Sequence, residues 1–137
     1  MKPITEEWID KAEGDFATAE RELSVSGHPN YDAVCFHAQQ CAEKYLKGFL
    51  QEADIPFRKT HDLVDLLTSA LNIEPSWTSM TADLNALSSF AVEYRYPGES
   101  SDFDEAREAL EQCRRVREVI RRALHVDTFD EASDESE

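Results

Sequence analysis

The amino-acid sequence predicts an all-α protein, an up-and-down bundle of four long helices plus one short helix. Two observations lead to this prediction. Apolar residues recur at intervals of three and four along most of the chain, and no stretch alternates between apolar and polar residues as a strand would. Short segments with glycine or proline, such as SGHPN and NIEPS, separate the periodic stretches. Because each amphipathic helix must bury its apolar stripe against another helix, a bundle follows.

The chain is long enough for one domain with a core of its own. Its 137 residues are 41% hydrophobic and 31% charged, as is usual for folded proteins. We assign residues 1–125 to the helical bundle. The final segment, VDTFDEASDESE, holds six acidic residues and no basic one, so we expect residues 126–137 to form a disordered acidic tail.

The composition also narrows the classes of function. No apolar run is long enough to span a bilayer, and the acidic start MKPITEEWIDKAEGD is unlike a signal peptide, so we expect a cytoplasmic location. The three cysteines form no CxxC pair and are expected to be reduced thiols, and we predict neither a metal site nor a cofactor. A net charge of −15 repels nucleic acid over most of the surface, which leaves only a local basic patch for RNA.

The first two helices have the clearest patterns. The first is predicted over residues 5–24, with an apolar face made of Trp8, Ala12, Phe16, Ala19 and Leu23. The second is predicted over residues 31–52, and its wide apolar stripe comprises Tyr31, Val34, Cys35, Ala38, Ala42, Tyr45, Leu46 and Phe49.

Three further helices complete the bundle. The Thr60 hydroxyl can cap a short third helix, whose buried side is Leu63, Leu66, Leu67 and Ala70. A fourth helix carries Trp77, Met80, Leu84, Leu87 and Ala91. It should end near Arg95, because Pro97 disfavours helical angles at the preceding residue and Gly98 completes the stop. Ser101 followed by Asp104 resembles a capping box for the last helix, whose predicted core positions are Phe103, Ala106, Leu110, Cys113, Val116, Ile120 and Leu124.

A polar strip borders the apolar face of the second helix. At about 100° per residue, one side of that helix collects His37, Gln40, Cys41, Lys44 and Gly48, with Lys47 just outside. Its imidazole, amide and ammonium groups can contact an anion or a nucleotide at the mouth of a groove, with Gly48 permitting close approach. The alternative is an ordinary boundary strip, in which His37 is hydrogen-bonded locally and Lys44 pairs with an acid.

Several motifs resemble the HEPN family. YDAVCFHAQQCAEKYLKGFL, residues 31–50, resembles its signature helix, which has a histidine, paired glutamines, a glutamate–lysine and a leucine–lysine. KTHDLVDLL, residues 59–67, resembles the family's Thr-His-Asp-Leu segment, and YRYPG, residues 94–98, its Arg-Tyr-Pro segment. The opening WIDKAEGDFATAE is similar to the family's first helix. In this order the matches cover nearly the whole predicted domain.

The resemblance implies a helical bundle that commonly forms homodimers and binds nucleotides. Many members of the family are encoded beside a minimal nucleotidyltransferase, in pairs that behave as toxin–antitoxin systems. We therefore predict a nucleotide-binding site made of His37, Gln40, Lys44, Lys47, Arg95 and Tyr96, with His61 and Asp62 as secondary candidates. The two lysines and Arg95 would neutralise phosphate groups of a nucleotide or RNA, and the others would orient the sugar or the base.

The chain departs from the catalytic motif of those HEPN proteins that are ribonucleases. That motif is an arginine, four to six variable residues and a histidine, whereas Arg95 is followed by YPGESSDFDEAREALE and the next histidine is His125. We therefore assign no catalytic residue. The alternative function is a metal-independent ribonuclease toxin with a displaced histidine, either His37 or His61, if the fold brings one of them to Arg95. A third possibility is a structural dimer whose acidic surface binds a basic partner.

Structural roles are the alternative for the remaining charged residues. CRRVREVIRR, residues 113–122, holds five arginines and is either a patch for nucleic acid or a solvated helix face neutralised by neighbouring acids and the tail; we favour the second. Arg95 has a similar alternative, as a helix-end residue that contacts carbonyl groups. Asp62 suits the positive start of a helix.

Overall fold

A computed structural model of the chain describes residues 1–92 and 96–126. The helices in this part are α1 (Pro3–Leu23), α2 (Tyr31–Glu52), α3 (Leu63–Ala70), α4 (Thr81–Ser88) and α5 (Phe103–Ala123), and a 3-10 helix, Pro75–Met80, leads into α4. The described residues form no strand. The predicted all-α fold is therefore confirmed.

Helices α1 and α2 form an antiparallel hairpin that is tied at both ends. The Asn30 side chain caps α2 by accepting a hydrogen bond from the Ala33 amide at 3.0 Å. Beside this cap, the Asn30 amide donates to Glu22 at 2.6 Å. At the other end of the hairpin, the Lys2 amide donates to Glu52 at 3.0 Å. These contacts set the register of the two helices.

The close approach of α1 and α2 depends on Gly48. A Cβ atom at this position would lie 3.1 Å from Trp8 Cβ and 3.4 Å from Ile9 Cδ1. The glycine therefore lets α1 pack against the backbone of α2, rather than leaving space for a ligand as the sequence suggested. It also positions the start of the Trp8 side chain.

Helix α2 lies at the centre of the bundle and contacts α1, α3, α4 and α5. Helix α5 runs alongside it in the same direction. At one end the Ser101 amide donates to Asp32 Oδ1 at 2.7 Å, and at the other Arg121 donates to the Tyr45 hydroxyl at 2.9 Å. The largest fully buried apolar side chains are Tyr45, Leu46, Leu50, Leu63, Leu66, Leu67, Leu84, Leu87, Ile120, Val34 and Val116.

The residues predicted to cap α3 and α5 were wrong, by two residues for α3 and by one residue for α5. Asp62, not Thr60, caps α3 and accepts from the Val64 amide at 3.1 Å, because the Thr60 hydroxyl is occupied by the Asp62 amide. Asp102, not Ser101, caps α5 and accepts from the Glu105 amide at 2.8 Å. Ser101 is buried against the start of α2, so the helix begins one residue later.

The fourth helix is shorter than predicted. Pro75 opens a tighter 3-10 segment, and the α-helical part ends at Ser88 rather than near residue 95. The Ser88 hydroxyl accepts a hydrogen bond from the Leu63 amide at 3.0 Å, which joins the end of α4 to the start of α3.

Phe103 was also wrongly placed in the core. It is 45% exposed, because at the first turn of α5 it packs edge-to-face on Tyr31 at the periphery.

Replacing Gly48 by alanine should destabilise the fold. The new methyl group must move Trp8 Cβ, which sits next to the α1 backbone, so we expect a loss of about 1–3 kcal/mol, as for other overpacked interiors. Gly14→Ala is the matched control, since Gly14 lies within α1 and an added Cβ would meet nothing within 4 Å. It should stabilise the protein by about 0.4–1 kcal/mol. Urea denaturation measures both, and equal effects of the two substitutions would contradict the close α1–α2 contact.

Candidate functional site

The polar strip of α2 is organised by two carboxylates. The first, Asp15 on α1, contacts two strip residues that lie two turns apart. His37 Nδ1 lies 2.7 Å from Asp15 Oδ1, and Lys44 Nζ donates to Asp15 Oδ2 at 2.6 Å. The side chains of His37 and Lys44 are 24% and 23% exposed, whereas that of Asp15 is 10% exposed. We call these three residues the Asp15 cluster.

The second carboxylate, Glu43, organises the neighbouring face of α2. Lys47 Nζ donates to Glu43 Oε2 at 2.8 Å, and His61 Nδ1 lies 2.8 Å from Glu43 Oε1. The buried Gln39 amide donates to the same Oε1 atom at 3.0 Å, and its own oxygen accepts from Gln40 at 2.7 Å. We call these five residues the Glu43 cluster. It joins α2 to the segment that precedes α3.

Glu43 is held in its ionised form by these contacts. Burial alone would raise the pKa of this carboxyl group, but the hydrogen bonds from Lys47, His61 and Gln39 outweigh burial and lower the pKa below its ordinary value of 4.5. Removing either partner of such a buried pair is costly, because it leaves the other charge without compensation.

The structure places most of the predicted site residues on this one side of α2. His37 and Lys44 meet at Asp15, while Gln40, Lys47 and the secondary candidate His61 meet around Glu43. The other predicted residues lie elsewhere. Asp62 caps α3, Tyr96 is 65% exposed at the turn that contains Pro97 and Gly98, and Arg95 lies outside the described residues. The convergence of Arg95 with Lys44 therefore stays a prediction.

Sequence reasoning missed the two carboxylates that organise the strip. Asp15 lies between Ala12 and Phe16 on the apolar face of α1, and it is buried there. Glu43 lies between the buried residues Ala42 and Leu46 on α2. A carboxylate on the apolar side of a helix is uncommon unless it is paired, so each position was a detectable signal for a basic partner.

A family model for the HEPN domain matches residues 5–123. The chain belongs to the HEPN family. No protein with a curated description matches it. The motifs in α2 and α3 that suggested this family lie within the matched residues, and they include the residues of the Glu43 cluster.

Two solved structures share the HEPN fold of this chain. One is TT1696 from Thermus thermophilus, with a TM-score of 0.74 and 22% sequence identity over 86% of this chain and 96% of that one. The other is ST0689, an archaeal HEPN homologue, with a TM-score of 0.68 and 27% identity over 90% of this chain and 99% of that one. Among the described helices of this HEPN chain, none combines the length and hydropathy needed to cross a membrane.

The arginines of α5 in this HEPN protein are largely used for internal ion pairs. Arg117 forms two hydrogen bonds with Glu13, at 2.7 and 2.8 Å, and Arg115 forms two with Asp83, at 2.9 and 3.0 Å. The acids come mainly from α1 and α4, and residues 127–137 of the tail lie outside the described part. These guanidinium groups are paired with carboxylates just as Lys44 and Lys47 are, so pairing alone does not rank α5 below α2 as a candidate for binding an anion.

The Glu43 cluster should make the stability of the HEPN domain depend on pH. The pKa of Glu43 is lower in the folded state than its ordinary value of 4.5, so its contribution is present above about pH 4.5 and is lost as the pH falls through the folded pKa. Glu43→Gln should therefore lower the free energy of unfolding by about 1–3 kcal/mol near neutral pH, as for a buried group that loses a charged partner. Urea denaturation of both proteins from about pH 7 to about pH 3.5 tests this. The difference should shrink with acidity, and a constant difference would contradict it.

Proposed function

We propose that this HEPN-domain protein binds the phosphate groups of a nucleotide or of RNA through the polar strip of α2. We further propose that it works in the cytoplasm as a homodimer, together with a minimal nucleotidyltransferase in a toxin–antitoxin-type pair. Membership of the HEPN family supports the class of ligand. The strip residues His37, Gln40, Lys44 and Lys47 would make the contacts, with Arg95 and Tyr96 contributing from the segment before α5.

One observation supports phosphate binding most strongly: each organising carboxylate is shared by two basic side chains. Asp15 contacts both His37 and Lys44, and Glu43 contacts a lysine and a histidine in the same way. A single carboxylate neutralises only one ammonium group, so each cluster becomes positive whenever its imidazole is protonated. In a chain with a net charge of −15, a cluster whose imidazole is protonated is a place where an anion meets attraction instead of repulsion.

The clusters are also arranged before any ligand arrives. A lysine ammonium has three N–H donors, and Lys44 uses one of them for Asp15. Because that contact already restricts the side chain, less conformational entropy is lost when a phosphate oxygen accepts a further bond. The partial exposure of His37 and Lys44 leaves room for such a contact.

Removing the charge of Lys44 should weaken nucleotide binding. Lys44→Gln keeps a donor for Asp15 and removes the ammonium group, so we expect the Kd for ATP, GTP or AMP to rise about tenfold, as for one charge-assisted hydrogen bond. Isothermal titration calorimetry at low salt measures it. Lys11→Gln is the matched control, because Lys11 is an exposed lysine on α1 outside both clusters, and its affinity should equal that of the unmodified protein.

Other outcomes would point to different functions. If no nucleotide binds at millimolar concentration, or if Lys44→Gln binds as well as Lys11→Gln, the phosphate-binding proposal is wrong. Cleavage of labelled RNA without metal, abolished by Arg95→Ala, would indicate the ribonuclease instead. A protein that responds to neither nucleotide nor RNA and captures only a basic partner would be the structural dimer.

The proposed assembly can be tested separately from ligand binding. We expect the purified protein to elute with about twice the 15.6 kDa mass of the chain. Co-expressed with a nucleotidyltransferase encoded beside it, the tagged protein should also retain that partner through affinity and size-exclusion steps. Elution as a monomer would overturn the homodimer, and loss of the partner in the first wash would overturn the pairing.

A further inference from the structure

A pocket of about 420 Å³ lies beside the Glu43 cluster, where α1 and α2 meet the connection to α3. The side chains that line it are Trp8, Lys47, Phe57, Lys59, Thr60 and His61. Small-molecule sites usually measure about 300–1,000 Å³, so this pocket suits one compact ligand. Only two of its lining residues, Lys47 and His61, belong to the site predicted from the sequence.

The apolar part of the pocket is aromatic. The Trp8 and Phe57 rings meet edge-to-face, with their centroids 6.4 Å apart and their planes at 65°. Trp8 is held in place because α1 approaches α2 closely at Gly48, and Phe57 comes from the connection between α2 and α3. Because the two planes are inclined at 65°, a flat ligand ring can stack on one of the rings and meet the other at its edge.

The polar part of the pocket is basic. Lys47 Nζ lies 5.8 Å from the centroid of the Trp8 ring and is fixed there by Glu43. Lys59 is exposed, and the His61 side chain is 65% exposed while its Nδ1 contacts Glu43. None of the six lining side chains is acidic. Because Glu43 compensates Lys47, it is mainly Lys59 that supplies the positive charge an anionic group meets at this mouth.

We propose that this pocket binds a nucleoside monophosphate group, with the base against Trp8 and Phe57 and the phosphate near Lys59 and His61. The inference rests on the ligand class of the proposed function, the phosphate groups of a nucleotide or of RNA, and assigns that ligand a base-binding site that the α2 strip lacks. A ligand with only a phosphate would leave the aromatic surface unused, and one with only an apolar ring would leave the basic groups without an anion. The same chemistry is present in a free nucleotide and in the 5′-end of an RNA.

Ligand fragments test whether both parts of the pocket contribute. Calorimetry of the full chain with AMP, adenosine and ribose 5-phosphate compares the whole ligand with each half. AMP should bind at least about tenfold more tightly than either fragment, since stacking of one base typically contributes that much. A 5′-phosphorylated RNA tetramer that binds as well as AMP indicates a terminal nucleotide, and one that binds less well indicates a free nucleotide. Equal affinity for AMP and ribose 5-phosphate would overturn the base site.

Two variants then test the aromatic and basic parts separately. Phe57→Ala should weaken AMP binding about tenfold and leave ribose 5-phosphate unchanged. Phe103→Ala, which truncates a 45% exposed aromatic residue on α5, is the matched control and should bind AMP normally. Lys59→Gln should weaken AMP and ribose 5-phosphate alike and leave adenosine unchanged. Circular dichroism and thermal unfolding confirm that each variant is folded.

The results separate this inference from the proposed function. In one outcome, Lys44→Gln weakens AMP binding while Phe57→Ala and Phe103→Ala both bind AMP like the unmodified protein. That result would support phosphate binding by the α2 strip and contradict the pocket. If Phe57→Ala weakens binding and Lys44→Gln does not, the pocket stands and the strip is wrong. If AMP does not bind at millimolar concentration, both are wrong.

Discussion

Three carboxylates in the seam around α1 and α2 determine how the helices of this protein meet. Taking a carboxylate out of water costs several kcal/mol unless a basic partner compensates. Asp15 of α1 has its partners on α2, including Lys44, and Glu13 of α1 has a two-bond contact with Arg117 of α5. Glu43 of α2 reaches the segment before α3. A shift of one helical turn between any of these elements would separate the pairs, so the ion pairs favour the observed register together with the end contacts of the hairpin and the close approach at Gly48.

Ion pairing with carboxylates also determines which basic side chains are available to a ligand. Arg114, Arg115 and Arg117 of α5 each form an ion pair with an acid of α1 or α4. In the two α2 clusters one carboxylate, Asp15 of α1 or Glu43 of α2, contacts one lysine and one histidine, and none of the residues that line the adjoining pocket is acidic. A basic area this small in a chain of charge −15 favours a compact phosphate-bearing ligand over a long nucleic-acid duplex, since distant phosphates would face repulsion.

Helical periodicity was sufficient to predict most of the fold. The errors in the helix starts occur where two neighbouring residues were both suitable as the cap. The limits of α2 match the prediction, because Asn30 is an efficient cap and the apolar stripe continues without a break to Phe49. Thr60 and Asp62, and likewise Ser101 and Asp102, are neighbouring candidates for one cap. The choice between Ser101 and Asp102 depends on Asp32, which binds the Ser101 amide from another helix. A hydrogen bond from a residue of another helix cannot be recognised in the local sequence around the cap.

For the candidate site, the sequence alone was enough to place His37, Gln40, Lys44 and Lys47 on adjoining faces of one helix, because the spacing of residues in a helix fixes their relative directions. Only the tertiary structure decided which groups those side chains contact. Asp15 reaches Lys44 across 29 positions of the chain, and a pocket wall is formed by two rings from separate segments. Distances between elements depend on how the side chains of both elements pack, and the periodicity within one helix carries no information about them.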